Sequence, residues 1–537
     1  MRTVRTRRTR LRATALLLAA LALAACTTEA APGKEAGPPG TLRVLAGSEL
    51  ADMRPVLDRA AAATGVKVEL TFVGSLDGAK QVADGTADRE YDAVWFSSTN
   101  YLRTFPGAGS HLGTSVQTMA SPVVLGLKKS TADRLGWAGG QVAWTDIVAA
   151  AERDQFTFAM TDPNASNSGF AALLAMTAAL DGGQRALDVD AITRVAPKVS
   201  ALFGVHRLTA PSSGWLTDAY VDRATGKNPG DPVDGLVNYE SSLVELNDSG
   251  RLPEPLTLIY PADGVVVGDY PLTVLSGATT EAQDLHRRLV EHLRGPEAQK
   301  DIGATTHRRP AVPGVDKPAG LPGALNEIPF PDSWASIEAL LDAYNNDLRR
   351  PSRTVYVLDV SGSMADDGRL PALKQALGQL TGAGSELAGK VCGFREREEV
   401  LLVPFSSAPL PTRAFTVDAG DPGPGLGSIR AAVDGLAAGG GTAIYDSLVK
   451  AQRDLAAAED RFVSIVLMTD GENTNGSGLQ GYLDFLASTK PVQVFPILFG
   501  EANEAEMRTV AQRTGGQYVD ARKDSLASAF CEIRGYQ

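Results

Sequence analysis

The stretch VYVLDVSGSM, residues 355–364, places oxygen-bearing side chains where they could do chemistry: Asp359, Ser361 and Ser363 fall at alternate positions around Gly362. One carboxylate and two hydroxyls, with no histidine nearby to act as base, make a poor nucleophile set. They suit a hard divalent cation, which prefers oxygen and tolerates neutral ligands. Two later stretches offer more oxygens. GGGTAIYDSL (439–448) presents Thr442 on a glycine-rich turn before a helical pattern, and RFVSIVLMTDGEN (461–473) ends an apolar run in Thr469 and Asp470. Taken singly, each has a plain structural use, since acids cap strand ends and serines form turns. Their joint order points to a site.

The elements that would position these groups can be read from the apolar pattern. Val355 to Leu358 is a continuous apolar run with Tyr356 its only partly polar member, as expected of a central strand buried on both faces. Ligands of open parallel α/β sheets bind just beyond the carboxyl ends of such strands. A D-x-S-x-S loop followed by a Thr and an Asp resembles the metal-ion-dependent adhesion site of von Willebrand factor type A domains, and all five positions match: Asp359, Ser361, Ser363, Thr442 and Asp470. The resemblance covers residues 353–537 and implies a Rossmann-like α/β fold holding one Mg²⁺, with Mn²⁺ a plausible substitute. It further implies that Ser361, Ser363 and Thr442 contact the ion when a ligand is bound, that Asp359 and Asp470 do so directly or through water, and that the ion captures an acidic residue of a protein partner. Helices at 368–382, 447–459, 503–514 and 524–534, strands at 398–407, 492–500 and 517–521, and a Pro/Gly-rich surface loop at 418–427 complete the expected domain.

Upstream, strands at 41–50, 66–74 and 91–98 alternate with helical stretches, the first running from Glu49 to Ala63 with Leu50, Met53, Val56, Leu57 and Ala60 on one face. This start resembles an extracytoplasmic solute-binding protein of the two-lobed, periplasmic-binding type II class. SPVVLGLKKS (121–130), AWTDIVAAA (143–151), FTFAMTDPNASNSGFAALLAMTAAL (156–180), VNYESSLVEL (237–246), LTLIYPADGVVVGDYPLTVL (256–275) and LVEHLRGPEAQKDIGATTHRRPA (289–311) resemble its later segments in their usual order, so the likeness spans 41–345. Ser48, Ser97 and Ser98 follow strands, and Ser166, Asn167 and Ser168 precede a long apolar helix, so these six are the candidate lining of a solute cleft. Helix N-termini carry free N–H donors and partial positive charge, which would suit an anionic solute. The same residues also serve as ordinary helix caps. A helix at 333–349 leads through Arg350-Pro351-Ser352 straight into the next domain, with no long linker.

Six arginines precede an apolar stretch, Ala13 to Ala25, too short to span a bilayer, and Leu23-Ala24-Ala25-Cys26 resembles a bacterial lipobox. The expected organisation is a signal peptide at 1–25, a lipidated Cys26 with a flexible tether to residue 40, and then the two domains. The general secretion route fits better than twin-arginine export, because Arg10 stands where that signal wants an aromatic. Lipid anchoring would place the chain on the outer face of the cytoplasmic membrane or envelope. The two remaining cysteines, Cys392 and Cys531, would then meet an oxidising compartment, where they form one bridge or stay as separate buried thiols.

A net charge of −12, carried on a chain with 44% hydrophobic and 21% charged residues, describes an acidic globular protein and argues against a basic nucleic-acid or anionic-lipid surface. Neither a G-x-x-x-x-G-K-[ST] phosphate loop nor a G-x-S-x-G elbow occurs. The five histidines show no zinc spacing and read as surface residues. No carboxylate pair is singled out as acid and base, so no catalytic residue is assigned. Two readings follow: a lipoprotein that binds a partner through a metal site, or a solute receptor of an uptake system whose second domain is a docking module.

Overall fold

The computed structural model describes residues 38–536 apart from 184, 229, 231, 383–391, 456–460, 502, 523–525 and 535. The signal peptide and Cys26 lie outside the described residues.

In chain order the first domain's strands are β1 (Thr41–Gly47), β2 (Lys67–Val73), β3 (Ala93–Trp95), β4 (Leu112–Gln117), β5 (Met119–Lys128), β6 (Phe158–Thr161), β7 (His206–Ala210), β8 (Gly235–Tyr239), β9 (Leu256–Ile259), β10 (Val267–Gly268), β11 (Pro271–Leu275) and β12 (Arg309–Pro310). They build two lobes. One sheet runs β2-β1-β3-β11-β4; the other runs β10-β5-β8-β6-β7, with β9 and β12 also paired to β5. The apolar run of β1 is buried almost throughout because it lies between β2 and β3. The helix Asn167–Leu180 is apolar on nearly every face and is buried along its length, so it forms the core of the second lobe.

The second domain's strands are β13 (Ser352–Asp359), β14 (Glu399–Phe405), β15 (Arg413–Thr416), β16 (Phe462–Thr469), β17 (Val494–Leu498) and β18 (Val519–Asp520), ordered β15-β14-β13-β16-β17-β18. All neighbours are parallel except the edge pair β14–β15. Alternate residues of β13 enter opposite cores: Tyr356 and Leu358 pack with Leu373 and Leu377, while Val355 and Val357 pack with Ile444 and Leu448. That two-sided burial is why the strand reads as one unbroken apolar run.

The structure departs from the sequence expectations in four places. The helix expected from Glu49 to Ala63 divides into a 3-10 turn, Ser48–Met53, and an α-helix, Arg54–Thr64, whose first turn holds Pro55, a position where the missing N–H costs nothing. The loop expected at 418–427 instead runs into a helix, Gly423–Asp434, again with a proline in its first turn. Strands β4, β7 and β15 were not expected; β4 and β15 are antiparallel neighbours at sheet edges with few apolar residues, and β7 is a short strand parallel to β6. Two histidines are also not surface residues: His206 and His286 are 1% and 3% exposed, each bonded through Nε2 to a backbone carbonyl, of Leu208 and Leu272 respectively.

The domains meet along a buried polar seam. Glu398 accepts hydrogen bonds from the guanidinium groups of Arg349, in the join, and Arg534, in the last helix. Arg395 lies 3.5 Å from Asp162 of the first domain. Within the first domain, Asn164, bonded to Asp162, exchanges amide hydrogen bonds of 2.9 and 3.0 Å with Asn345. Around this polar centre, the His206 ring packs against Phe462 and Trp215 stacks on Tyr536.

Candidate metal centre and solute cleft

Strand register brings the first cluster together. Leu358 of β13 pairs with Met468 of β16, so Asp359 and the Thr469-Asp470 pair emerge side by side at the carboxyl edge of the sheet. Asp359 Oδ1 accepts the Ser361 N–H at 2.8 Å, and Oδ2 accepts the Thr469 hydroxyl at 2.7 Å. The Ser361 and Ser363 hydroxyls lie 3.1 Å apart, and Ser363 donates to Asp470 Oδ1 at 2.9 Å. Both carboxylates are buried, Asp359 fully and Asp470 at 1% exposure. Burial pushes the Asp359 carboxyl up; hydrogen bonds from Ser361 and Thr469 oppose this, and the nearby Asp470 charge adds to it.

Thr442 arrives on the loop between the helices Gly423–Asp434 and Ile444–Leu455. Gly362 N–H donates to Gly440 O at 2.9 Å and Gly439 N–H to Val360 O at 2.8 Å, which fixes that loop against the serine loop. Gly440 has φ +86°, a left-handed conformation that glycine adopts without strain. Thr442 N–H is held by the Thr474 hydroxyl at 2.9 Å, so the loop after Asp470 also clamps the threonine.

All five residues named from the sequence therefore lie on three interlocked loops. Thr469, which fixes Asp359, and Arg369, which donates to Asp470 Oδ2 at 2.8 Å, join them. The signal for Arg369 was its place at the start of the helix Arg369–Leu380, where a cation opposes the helix dipole and needs an acid elsewhere to hold it. In chemical terms the set fits Mg²⁺ or Mn²⁺: the donors are two carboxylates and hydroxyls, with no nitrogen or sulfur ligand. Among the described residues no cluster of three His, Cys, Asp or Glu side chains offers a different metal site.

Of the six cleft candidates, Ser97 and Asn167 share a hydrogen-bonded partner across the lobes, whereas Ser98 is bonded within its own turn. Ser97, at the end of β3, accepts from Tyr239 OH at 2.5 Å, and Asn167 Nδ2 donates to the same phenol at 3.2 Å, so a hydrogen-bonded path crosses from one lobe to the other. Ser168 bonds Ser213 at 2.8 Å and lies 3.2 Å from Ser166, whose hydroxyl does not cap the helix behind it. Ser48 Oγ faces Gly214 at the start of the helix Ser213–Ala224, whereas Ser98 caps its own turn at Asn100. Sequence reading missed Glu49, whose buried Oε1 has no hydrogen-bond partner, and Asp269, whose Oδ1 is likewise unpartnered. Burial pushes both carboxyls up.

Cys392 is buried and shares an apolar cluster with Phe394 and with Ala529, Phe530 and Ile533 of the last helix; the Cys531 side chain lies outside the described residues. No helix among the described residues is long and apolar enough to cross a membrane.

Two stretches of the chain match known families. Residues 42–303 match the family described as bacterial extracellular solute-binding protein, and residues 354–472 match the von Willebrand factor type A domain. No curated protein matches the chain. Among solved structures, the periplasmic binding protein AfuA from Actinobacillus pleuropneumoniae, with fructose-6-phosphate bound, is 11% identical with a TM-score of 0.46, over 57% of this chain and 98% of that one. A periplasmic thiamin binding protein is 14% identical with a TM-score of 0.44, over 57% of this chain and 98% of that one. A von Willebrand factor type A protein from Catenulispora acidiphila is 20% identical with a TM-score of 0.29, over 35% of this chain and 43% of that one. The chain thus joins a solute-binding-protein domain to a von Willebrand factor type A domain.

Proposed function

We propose that this protein is an exported envelope lipoprotein, anchored through Cys26, that captures a protein partner at a metal-ion-dependent adhesion site. One observation carries the reading: Asp359, Ser361, Ser363 and Asp470 form a continuous hydrogen-bonded chain beside the clamped Thr442 loop. Ser361, Ser363 and Thr442 would hold Mg²⁺ or Mn²⁺, with Asp359 and Asp470 behind them. Bound there, the cation would supply net positive charge and an exchangeable coordination position for a partner's Asp or Glu carboxylate. The chain's own residues supply the frame: Thr469 and the Ser361 N–H orient Asp359, and Ser363 orients Asp470. Both carboxylates are engaged by donors of the chain itself, which suits recognition of a ligand through the ion. Isothermal titration of the full chain with MgCl₂ or MnCl₂ tests it; wild type should bind one ion and Asp359→Ala should bind it at least about tenfold more weakly. Equal binding by both would sink the assignment.

A second reading, solute receptor of an uptake system, draws support from the unpartnered Glu49 Oε1 at the interlobe path. A buried carboxylate oxygen without a donor is costly unless a ligand satisfies it. The cleft would then take a solute with a cationic or N–H-bearing face. Native mass spectrometry of the full chain should find a small molecule retained by wild type and lost in Glu49→Ala.

A further inference from the structure

Asp470 has an internal cation already. Its Oδ2 accepts Arg369 Nη1 at 2.8 Å while its Oδ1 accepts Ser363, so both oxygens of a carboxylate with no exposed side-chain surface are in use. Arg369 is itself about one-fifth exposed, and its other terminal nitrogen meets Asp367 at 3.2 Å. Beside it lies an open groove of about 430 Å³, lined by Arg369, Gln375, Gln379, Phe499 and Leu526, wide enough to receive a guanidinium. Asp367 and Gly368 turn the chain immediately before it, with φ of +50° and +71°, and aim the side chain back toward the strand ends.

We propose that Arg369 is the resident counter-ion of the metal site: it neutralises Asp470 when no metal is bound, competes with the divalent cation, and withdraws toward the groove when the cation arrives. This rests on the metal-site reading above. The physical grounds are charge and position. A buried carboxylate needs a compensating charge. A guanidinium on that carboxylate repels a dication seated among Ser361, Ser363 and Asp470, wherever it rests within the site. Competition between two cations for one carboxylate makes occupancy depend on the surrounding divalent concentration.

Calorimetric titration of the full chain with MnCl₂ and MgCl₂ tests the proposal in wild type, Arg369→Gln and Arg369→Lys. Gln keeps a donor for Asp470 but removes the charge; Lys keeps the charge. Arg369→Gln should bind about three- to tenfold more tightly, with Arg369→Lys close to wild type. Melting in chelator gives a second measure: Arg369→Gln should melt below wild type, and saturating Mg²⁺ should close the difference. Unchanged affinity in Arg369→Gln overturns the competition. Weaker binding also overturns it and makes Arg369 a positioning residue for Asp470. Absence of metal binding in all three proteins would instead bring down the metal site itself, and the proposal with it.

Discussion

Asp470 obtains its positive partner from Arg369, 101 residues earlier in the chain, and its hydroxyl donor from Ser363, 107 residues earlier. Asp359 draws one of its two donors from Thr469, 110 residues later. The two acids are thus oriented by each other's strands, and loss of either should cost the same function. Asp359→Ala and Asp470→Ala should each weaken Mg²⁺ binding by at least about tenfold, by analogy with the loss of groups that orient metal ligands. The double variant should be no worse than the more severe single one, because both act through one ion. Titration of the three variants checks this; strict additivity would mean two independent sites. Four of the five candidate oxygen groups were readable because strand-end polar residues stand out against an apolar run, and Thr442 because it follows a glycine-rich turn. Their partners were not: that Thr469 holds Asp359 and Arg369 holds Asp470 depends on strand register and on a turn with positive φ.

Three loops make the site, and the loop bearing Thr442 is the most tightly fitted. A Cβ on Gly441 would stand 1.9 Å from Asn475 Oδ1 and 3.2 Å from Thr474 Oγ1, the hydroxyl that holds Thr442 N–H. Asn475 is a side-chain end able to move, so Gly441→Ala should cost under about 1 kcal/mol of stability while weakening metal binding several-fold. A denaturation curve paired with a metal titration separates the two effects. The last helix is the other element with an expected constraint. A Cys392–Cys531 bridge would tie it to the segment before β14, and closing so long a loop could stabilise the domain by about 2–4 kcal/mol. Mass measurement under non-reducing conditions should find two hydrogens fewer than the free dithiol; two alkylatable thiols would refute the bridge. Elements were legible where burial is two-sided, as in β13, or where helices are amphipathic. Edge strands such as β4 and β15 were not, because one exposed face and little apolar content leave only a weak pattern. The splitting of the first helix at Pro55 shows the limit of periodicity, which does not distinguish a 3-10 turn from the α-helix it leads into.

At the scale of the whole molecule, acid should loosen the seam between the domains. Burial, with smaller contributions from Arg207 and Arg350, lowers His206 from 6.5 to about 4, so the folded chain keeps it neutral while the unfolded chain takes up a proton. Its penalty therefore begins as pH falls below 6.5, grows to about 3 kcal/mol and levels off near 4. Glu398 is buried, which opposes its charge, yet Arg534, Arg349 and Arg395 together hold it down at about 2. Its stabilisation is complete above the ordinary value of 4.5 and is lost as pH falls from there through 2. Urea denaturation from pH 7 to 4 should show stability falling, and His206→Phe, which keeps the aromatic packing on Phe462, should flatten that slope. Removing the acid at neutral pH is harsher: Glu398→Gln takes away the buried carboxylate that Arg349 and Arg534 share, leaving Asp162 beside Arg395, and should cost about 3–5 kcal/mol. The seam also bears on how such a chain can have been assembled from parts. A cut before Ser352 leaves Arg395, Arg534 and Glu398 in one piece and Asp162 with Arg349 in the other, so each newly bared surface carries charges placed for a partner that is gone. Swapping either half for a relative without the matching groups would bury an unbalanced charge, and the two halves are therefore expected to be inherited as a pair.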